Sequence, residues 1–290
     1  MFEMSSEQST LPQVNFLKDR AKMVRLETVR LSRIAGAGHY SSTFSAAEML
    51  VALYYDFLEI DPSNPDWVER DRFILSKGHA AIGLYPILAD LGFFETSLLD
   101  DYTRLGSAFG DHPDMKKISG IDFSSGSLGH GLSIAVGIAL GARVLNRNYR
   151  VCFMMGDGEL HEGQIWEATM AAGHFQLNNI IGIIDRNQLC IDGSTEQIMT
   201  LEPLEKRFDS FGWEVFRING HNFTDILTTL NQCKTGSKEK PKMIISDTVK
   251  GRGIKMMEGS LDWHVGNLVG TDYDSVISEL ERGLGGKDVI

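Results

Sequence analysis

The stretch RVCFMMGDGELHEGQIWEATMAAGHF, residues 150–175, decides how this chain folds. Its opening run, RVCFMMG (150–156), is apolar and strand-like, and EGQIWEATMAAGHF (162–175) carries a helical pattern. Between them, MMGDGELHEG (154–163) packs three glycines and four acidic or imidazole side chains into ten positions. A strand that turns directly into a helix is the repeating unit of a parallel sheet. The turn itself then lies at the carboxyl edge of that sheet, where open α/β folds bind their ligands.

The same alternation continues on both sides. RFILS (72–76), NIIGIID (179–185), WEVFRIN (213–219) and KMIISDTV (242–249) also read as strands. Residues 15–35 set Phe16, Val24, Leu31 and Ile34 among charges at near-helical spacing, and GLSIAVGIALGARVL (131–145) continues the helical set. A further helix is predicted to open at Ser45, because Ser45-Ala46-Ala47-Glu48 has the form of a capping box ahead of an apolar run to Phe57. The class is α/β: one doubly wound, mostly parallel sheet with helices on both faces. We read residues 1–14 as an N-terminal extension, 15–270 as the domain and 271–290 as a C-terminal helix and tail, with no internal repeat or linker.

Composition narrows the function. At 290 residues and 42% hydrophobic content the chain can bury a full core. The net charge of −11 argues against a nucleic-acid partner, which would need clustered Lys and Arg. Cys152, Cys190 and Cys233 show no CxxC spacing, as in a reduced, cytoplasmic chain, and no targeting segment or run of 18 apolar residues points to a membrane.

The glycines of the 156–158 turn let a phosphate approach the backbone, and the following helix start supplies free N–H donors. Asp157 would repel that phosphate unless a cation lay between them. It therefore reads as a ligand for Mg²⁺ or Ca²⁺, hard ions that take oxygen donors. A second ligand is predicted at the end of the next strand, where Arg186-Asn187-Gln188-Leu189 follows NIIGIID and adjacent parallel strands bring Asn187 beside Asp157. Lys77 and Lys250 are candidates to neutralise phosphate charge. His39, His79, His112 and His264 each stand beside small residues or glycine at turns or strand ends, where imidazoles can meet hydroxyls and oxyanions.

GDG followed by RNQLCIDG resembles the thiamine diphosphate signature. DRFILSKGHAA, DHPDMKKISGIDFSSGSLGHGLSIAVGIAL, LEPLEKRFDSFGWEV and TVKGRGI extend the likeness, over about residues 15–267, to the transketolase family. The resemblance implies a thiamine diphosphate-binding fold whose metal is held by Asp157, Asn187 and the Leu189 carbonyl. It implies cofactor contacts from His79, Gly126, Ser127, Leu128, Gly156, Gly158, Glu162, Asn187, Lys250 and His264. His39, His79, His112 and His264 become catalytic residues facing the donor sugar. Glu162 and Glu167 are similar to family carboxylates at a subunit interface, or alternatively they cap and solubilise a helix start. His130 stands where the family usually has Gln, and it, His161, His174 and His221 are read as ordinary loop or surface residues.

A whole family member would continue for more than another domain beyond residue 290, so the chain resembles the N-terminal subunit of a split transketolase. The implied activity is transfer of a two-carbon ketol unit from a ketose to an aldose. The implied partner is a C-terminal subunit that supplies the pyrimidine-binding domain and a catalytic Glu, in an α2β2 heterotetramer. Tyr40, where the family has Pro or an aliphatic residue, points to a sulfonated or branched donor as an alternative to an ordinary pentose phosphate. Two other readings are one half of a 2-oxo acid-decarboxylating enzyme and a catalytically silent subunit that binds cofactor or partner.

Overall fold

Five parallel strands form the sheet in the order β1-β2-β3-β7-β6. The computed structural model describes residues 10–282. The strands are β1 (Arg72–Leu75), β2 (Val151–Gly156), β3 (Ile180–Arg186), β6 (Glu214–Asn219) and β7 (Lys242–Asp247). A two-residue hairpin, β4 (Leu189–Cys190) with β5 (Gly193–Ser194), follows β3. Each main strand begins and ends within two residues of its sequence-based bounds.

The central strands are apolar on both faces because both are covered, as a parallel sheet requires. Alternate residues of β2 go to opposite sides. Cys152 and Met154 join a core with Ile181, Ile183 and helices α1 (Leu11–Ala35), α2 (Tyr40–Ala52), α3 (Ala81–Leu91) and α8 (Phe223–Thr235). Phe153 and Met155 join a second core under α4 (His130–Val144), α5 (Gly163–His174) and α7 (Leu204–Ser210), closed by the fully buried Trp213. Gly182 in β3 is required by that packing, since a Cβ there would lie 2.5 Å from the Phe153 ring and 2.7 Å from the Met243 methyl. The remaining helices are the four-residue α6 (Thr195–Ile198) and α9 (Thr271–Glu281), which packs Val276 and Leu280 into a third cluster with Val29 and Phe44.

Two helix starts differ from expectation. The first helix begins at Leu11, capped by the Thr10 hydroxyl and led by Pro12, so residues 11–14 are helical. The rest of the expected extension, residues 1–9, and the expected tail at 283–290 lie outside the described residues. The second begins at Tyr40, and Ser45 with Glu48 form no capping box. Ser45 sits mid-helix and donates to Asp185 Oδ2 at 2.7 Å, while Glu48 binds the Arg25 guanidinium at 2.8 and 2.9 Å. Every residue of α2 is buried, so tertiary partners override the local capping signal. The helix does run on to Phe57, through a π turn at Leu53–Phe57. Among the described residues no helix is long and apolar enough to cross a membrane.

Candidate active site at the carboxyl edge of the sheet

A cavity of about 550 Å³ opens where β2 and β3 end. Register brings the two strands level, with Gly156 opposite Asp185, so the turns that follow them face each other. His39, His79, His112, Gly126, Leu128, Gly156, Asp157, Gly158, Glu162, Asn187, Leu189, Lys250 and His264 all line it, as do Lys77 and Ser42. Ser127 is exposed and does not line the cavity. Glu167 is likewise exposed, one turn further along α5 than the cavity rim. His161, read as an ordinary loop residue, lines the cavity and donates through Nε2 to the Met199 carbonyl at 2.9 Å.

Asp157 is 1% exposed at the end of β2. Its Oδ2 accepts from Arg186 Nη1 at 2.7 Å and from the Gln188 amide at 2.6 Å, while Oδ1 is buried with no hydrogen-bond partner. Burial pushes this carboxyl upward, against the pull of Arg186. Asn187 donates through Nδ2 to Asp185 Oδ2 at 3.2 Å, and its Oδ1 accepts from the Leu189 amide at 3.2 Å. A buried carboxylate oxygen without a donor is costly in a closed protein. It is what a hard cation would satisfy, together with an amide oxygen and a carbonyl from the same turn. Among the described residues no three His, Cys, Asp or Glu side chains form a metal-binding group, so a cation here rests on one carboxylate and neutral oxygens.

Three supporting residues lie within the quoted stretches but are assigned no role from sequence. Glu159, 2% exposed, accepts from Ser76 Oγ at 2.6 Å and from the Gly129 and Gly156 amides at 2.9 Å each. It ties the 156–158 turn to the start of α4, and burial raises its carboxyl. Its spacing, three residues after Gly156, is the one signal that sequence offered. Asp185 is fully enclosed. Burial alone would raise it, but the Lys77 ammonium, Thr248 and Ser45 hold it below its ordinary value. Lys77 is committed to Asp185 and to the Ser42 carbonyl, so its charge is turned into the protein as well as toward the cavity. Arg186, 2% exposed, also reaches Thr195 Oγ1 at 2.6 Å and Glu196 at 2.8 Å, which ties the 188–202 segment to the Asp157 carboxylate.

The histidines form one cluster. Ring centroids of His39 and His79 are 5.1 Å apart, those of His79 and His264 5.6 Å, and those of His39 and His264 5.7 Å. Paired backbone bonds between Gly38 and Gly266, at 2.8 and 3.1 Å, bring the chain before His39 against the chain after His264. Burial, with Lys77 next, pushes the His79 imidazole well below its ordinary value. Burial and Lys250 bring His264 down to about 4, and burial with Lys77 brings Lys250 down to about 8. Lys250 Nζ lies 2.9 Å from His264 Nδ1. Tyr40 is fully buried between Phe44 and Trp263, with ring centroids at 6.3 and 6.1 Å, and does not line the cavity. Any effect of Tyr40 on substrate choice is therefore indirect, through the wall that holds Trp263 and His264.

Residues 17–285 match the family described as "Transketolase, thiamine diphosphate binding domain". The 6-deoxy-6-sulfo-D-fructose transketolase subunit SqwG of a Clostridium species is 42% identical over 92% of this chain and 96% of its own length. An apulose-4-phosphate transketolase subunit from Phocaeicola vulgatus is 38% identical over 94% of this chain and 96% of its own length. Among solved structures, transketolase from Campylobacter jejuni superposes with a TM-score of 0.86 at 32% identity, over 95% of this chain and 44% of that one. The Leishmania mexicana enzyme gives 0.86 at 28% identity, over 94% of this chain and 42% of that one. The chain thus spans less than half the length of these solved transketolases.

Proposed function

This chain belongs to the transketolase family as a thiamine diphosphate-binding domain, and from that premise we propose that it acts as the N-terminal subunit of a two-chain transketolase. The reaction is transfer of a two-carbon ketol unit from a ketose to an aldose. One observation carries the reading: the unpartnered Asp157 Oδ1 and the Asn187 amide converge, at the ends of adjacent strands, on the cavity that the histidine cluster also lines.

The donor set fits a diphosphate bound through a divalent cation. Asp157, Asn187 and the Leu189 carbonyl would hold Mg²⁺ or Ca²⁺, while Gly156, with nothing within 4 Å of where a Cβ would stand, would leave room for the diphosphate and the Gly158 amide, Lys250 and His79 would offer donors to it. When bound, thiamine diphosphate supplies the electron sink that carbon–carbon cleavage needs. The protein's own part is to orient the sugar and handle its protons. His79 and His264 stay uncharged at neutral pH, so each keeps one ring N–H to donate to a developing oxyanion and one nitrogen to accept. Arg186, Glu159 and Asp185 are buried and already hydrogen-bonded, so the cavity walls need no rearrangement when charge develops.

The proposal includes a second chain that contributes the pyrimidine-binding domain and the catalytic Glu, in an α2β2 heterotetramer. Relatives matched over 96% of their own length are named as subunits, which supports this. Glu162 lines the cavity and Glu167 is exposed on α5, which leaves both free to meet that partner in this reading. Residues 15–270 form the diphosphate-binding unit in this reading. The donor is a ketose phosphate or a modified sugar, since two relatives are named for 6-deoxy-6-sulfo-D-fructose and apulose-4-phosphate. A cytoplasmic place in carbohydrate metabolism accords with three free cysteines.

The test is to purify the chain with whatever co-purifies from its native cell and assay ketol transfer with thiamine diphosphate and Mg²⁺. Parallel donors should include 6-deoxy-6-sulfo-D-fructose and xylulose 5-phosphate. Transfer that requires a stoichiometric second chain supports the proposal. Full transfer by the isolated chain overturns the two-chain arrangement, and decarboxylation of a 2-oxo acid without ketol transfer overturns the activity.

A further inference from the structure

Asp111 does not line the cavity, yet it contacts two side chains that do, His39 and His112. Its Oδ1 lies 3.2 Å from His39 Nδ1 and accepts from the Tyr102 hydroxyl at 3.3 Å, and its Oδ2 is 3.6 Å from His112 Nδ1. Tyr102 is 1% exposed, so the carboxylate is braced from the protein side by a fixed donor. Burial alone would raise the Asp111 carboxyl, but His39, His112 and Tyr102 hold it below its ordinary value. An ionised carboxylate only accepts hydrogen bonds, so Nδ1 of His39 must carry a proton, and in the uncharged ring that is the one N–H. His39 Nε2 is then the ring nitrogen left for a ligand, and it is an acceptor.

The opposite holds for His264. Lys250 Nζ, an ammonium at neutral pH, donates to His264 Nδ1 at 2.9 Å, so the proton of that neutral ring sits at Nε2. His264 therefore presents a donor. The two rings, with centroids 5.7 Å apart, line one cavity with opposite hydrogen-bond polarity.

We propose that Asp111 is a positioning residue that fixes His39 as the Nδ1–H tautomer, so that His39 accepts from a sugar hydroxyl while His264 donates to the oxygen beside it. An α-hydroxy ketone offers that pair, a hydroxyl that donates next to a carbonyl that accepts. The substrate half of this inference rests on the ketol-transfer reading, whereas the tautomer assignment stands on the side-chain geometry and on the charges of Asp111 and Lys250.

The experiment is a side-chain ¹⁵N–¹H correlation on the full chain with ¹⁵N-labelled histidine, the two signals being assigned from His39→Gln and His264→Gln. The expected result is Nδ1–H for His39 and Nε2–H for His264. In Asp111→Asn, His39 should gain the Nε2–H form. In the two-chain enzyme that variant should lose about tenfold in kcat, the value of one well-placed hydrogen bond, with cofactor affinity unchanged. Asp111→Glu should restore part of the loss. Nε2–H for His39 in the unaltered chain, or the same tautomer ratio in Asp111→Asn, would overturn the inference whatever the enzyme's activity. If the unaltered two-chain enzyme shows the predicted tautomers but transfers no ketol unit, the proposed function falls and the role of Asp111 toward His39 is upheld.

Discussion

Arg186 holds one oxygen of Asp157 and leaves the other bare. The guanidinium Nη1 lies 2.7 Å from Oδ2, both side chains are almost fully buried, and Oδ1 has no protein partner. Such a pair splits the two oxygens by role, one structural and one available to a cation. Replacing Asp157 by Ala should weaken thiamine diphosphate binding in Mg²⁺ by more than about 100-fold, beyond the loss typical of a supporting partner. Isothermal titration of the two-chain enzyme reads this directly, and near-native affinity would remove Asp157 from the cation site.

Arg186→Met makes a separate prediction. It leaves the Asp157 carboxylate buried without its counter-charge and with only the Gln188 amide as donor, which should cost about 3–5 kcal/mol of stability. Denaturant unfolding of the cofactor-free chain should show the loss, and a saturating divalent cation should recover part of it by binding the native state.

Lys250 gives stability an alkaline dependence. Its folded value, about 8, lies below the ordinary 10.5, so between these the unfolded chain binds more protons and stability rises with pH. The burial that depresses Lys250 thus penalises the fold most below pH 8. Lys250→Met should stabilise the cofactor-free chain at pH 7 by up to about 3 kcal/mol and flatten the rise between pH 8 and 10. Paired unfolding curves at pH 7 and 10 test it, and an equal pH slope in both proteins would refute the assignment.

Glu48 works in the opposite sense. Burial disfavours its charge, but Arg25 and His221 overcome this and hold the carboxyl at about 2 against an ordinary 4.5. A depressed carboxyl contributes stability that is fully present above pH 4.5 and lost as the pH falls toward 2. Glu48→Gln should cost about 3 kcal/mol at pH 7 and much less at pH 3. The difference between the two unfolding free energies is the quantity to measure.

Gly182→Ala tests the sheet rather than the site. The added methyl would sit 2.5 Å from a rigid Phe153 ring, so the variant should lose about 1–3 kcal/mol. A melting temperature equal to that of the unaltered chain would show that Phe153 and Met243 can move aside.

The chain's order of apolar runs and turns by itself determined the parallel sheet and the meeting of Asp157 with Asn187. Both follow from local pattern: strands separated by single helices must lie parallel, and residues just past two adjacent strand ends must be neighbours. The same logic reached the histidines, which stand in short turns at that edge. Only the tertiary structure decided what those residues touch. The partners of Asp157, His39 and Glu48 are Arg186, Asp111 and Arg25, which lie 29, 72 and 23 positions away in the chain. No periodicity encodes bonds across such separations. Tyr40 and Ser45 show the converse, since the family resemblance suggested an altered donor preference and a local motif a helix cap, whereas complete burial of α2 turned both inward. A side chain's direction is set by the packing of the elements around it, and that packing exists only once the sheet and its two helical layers have closed.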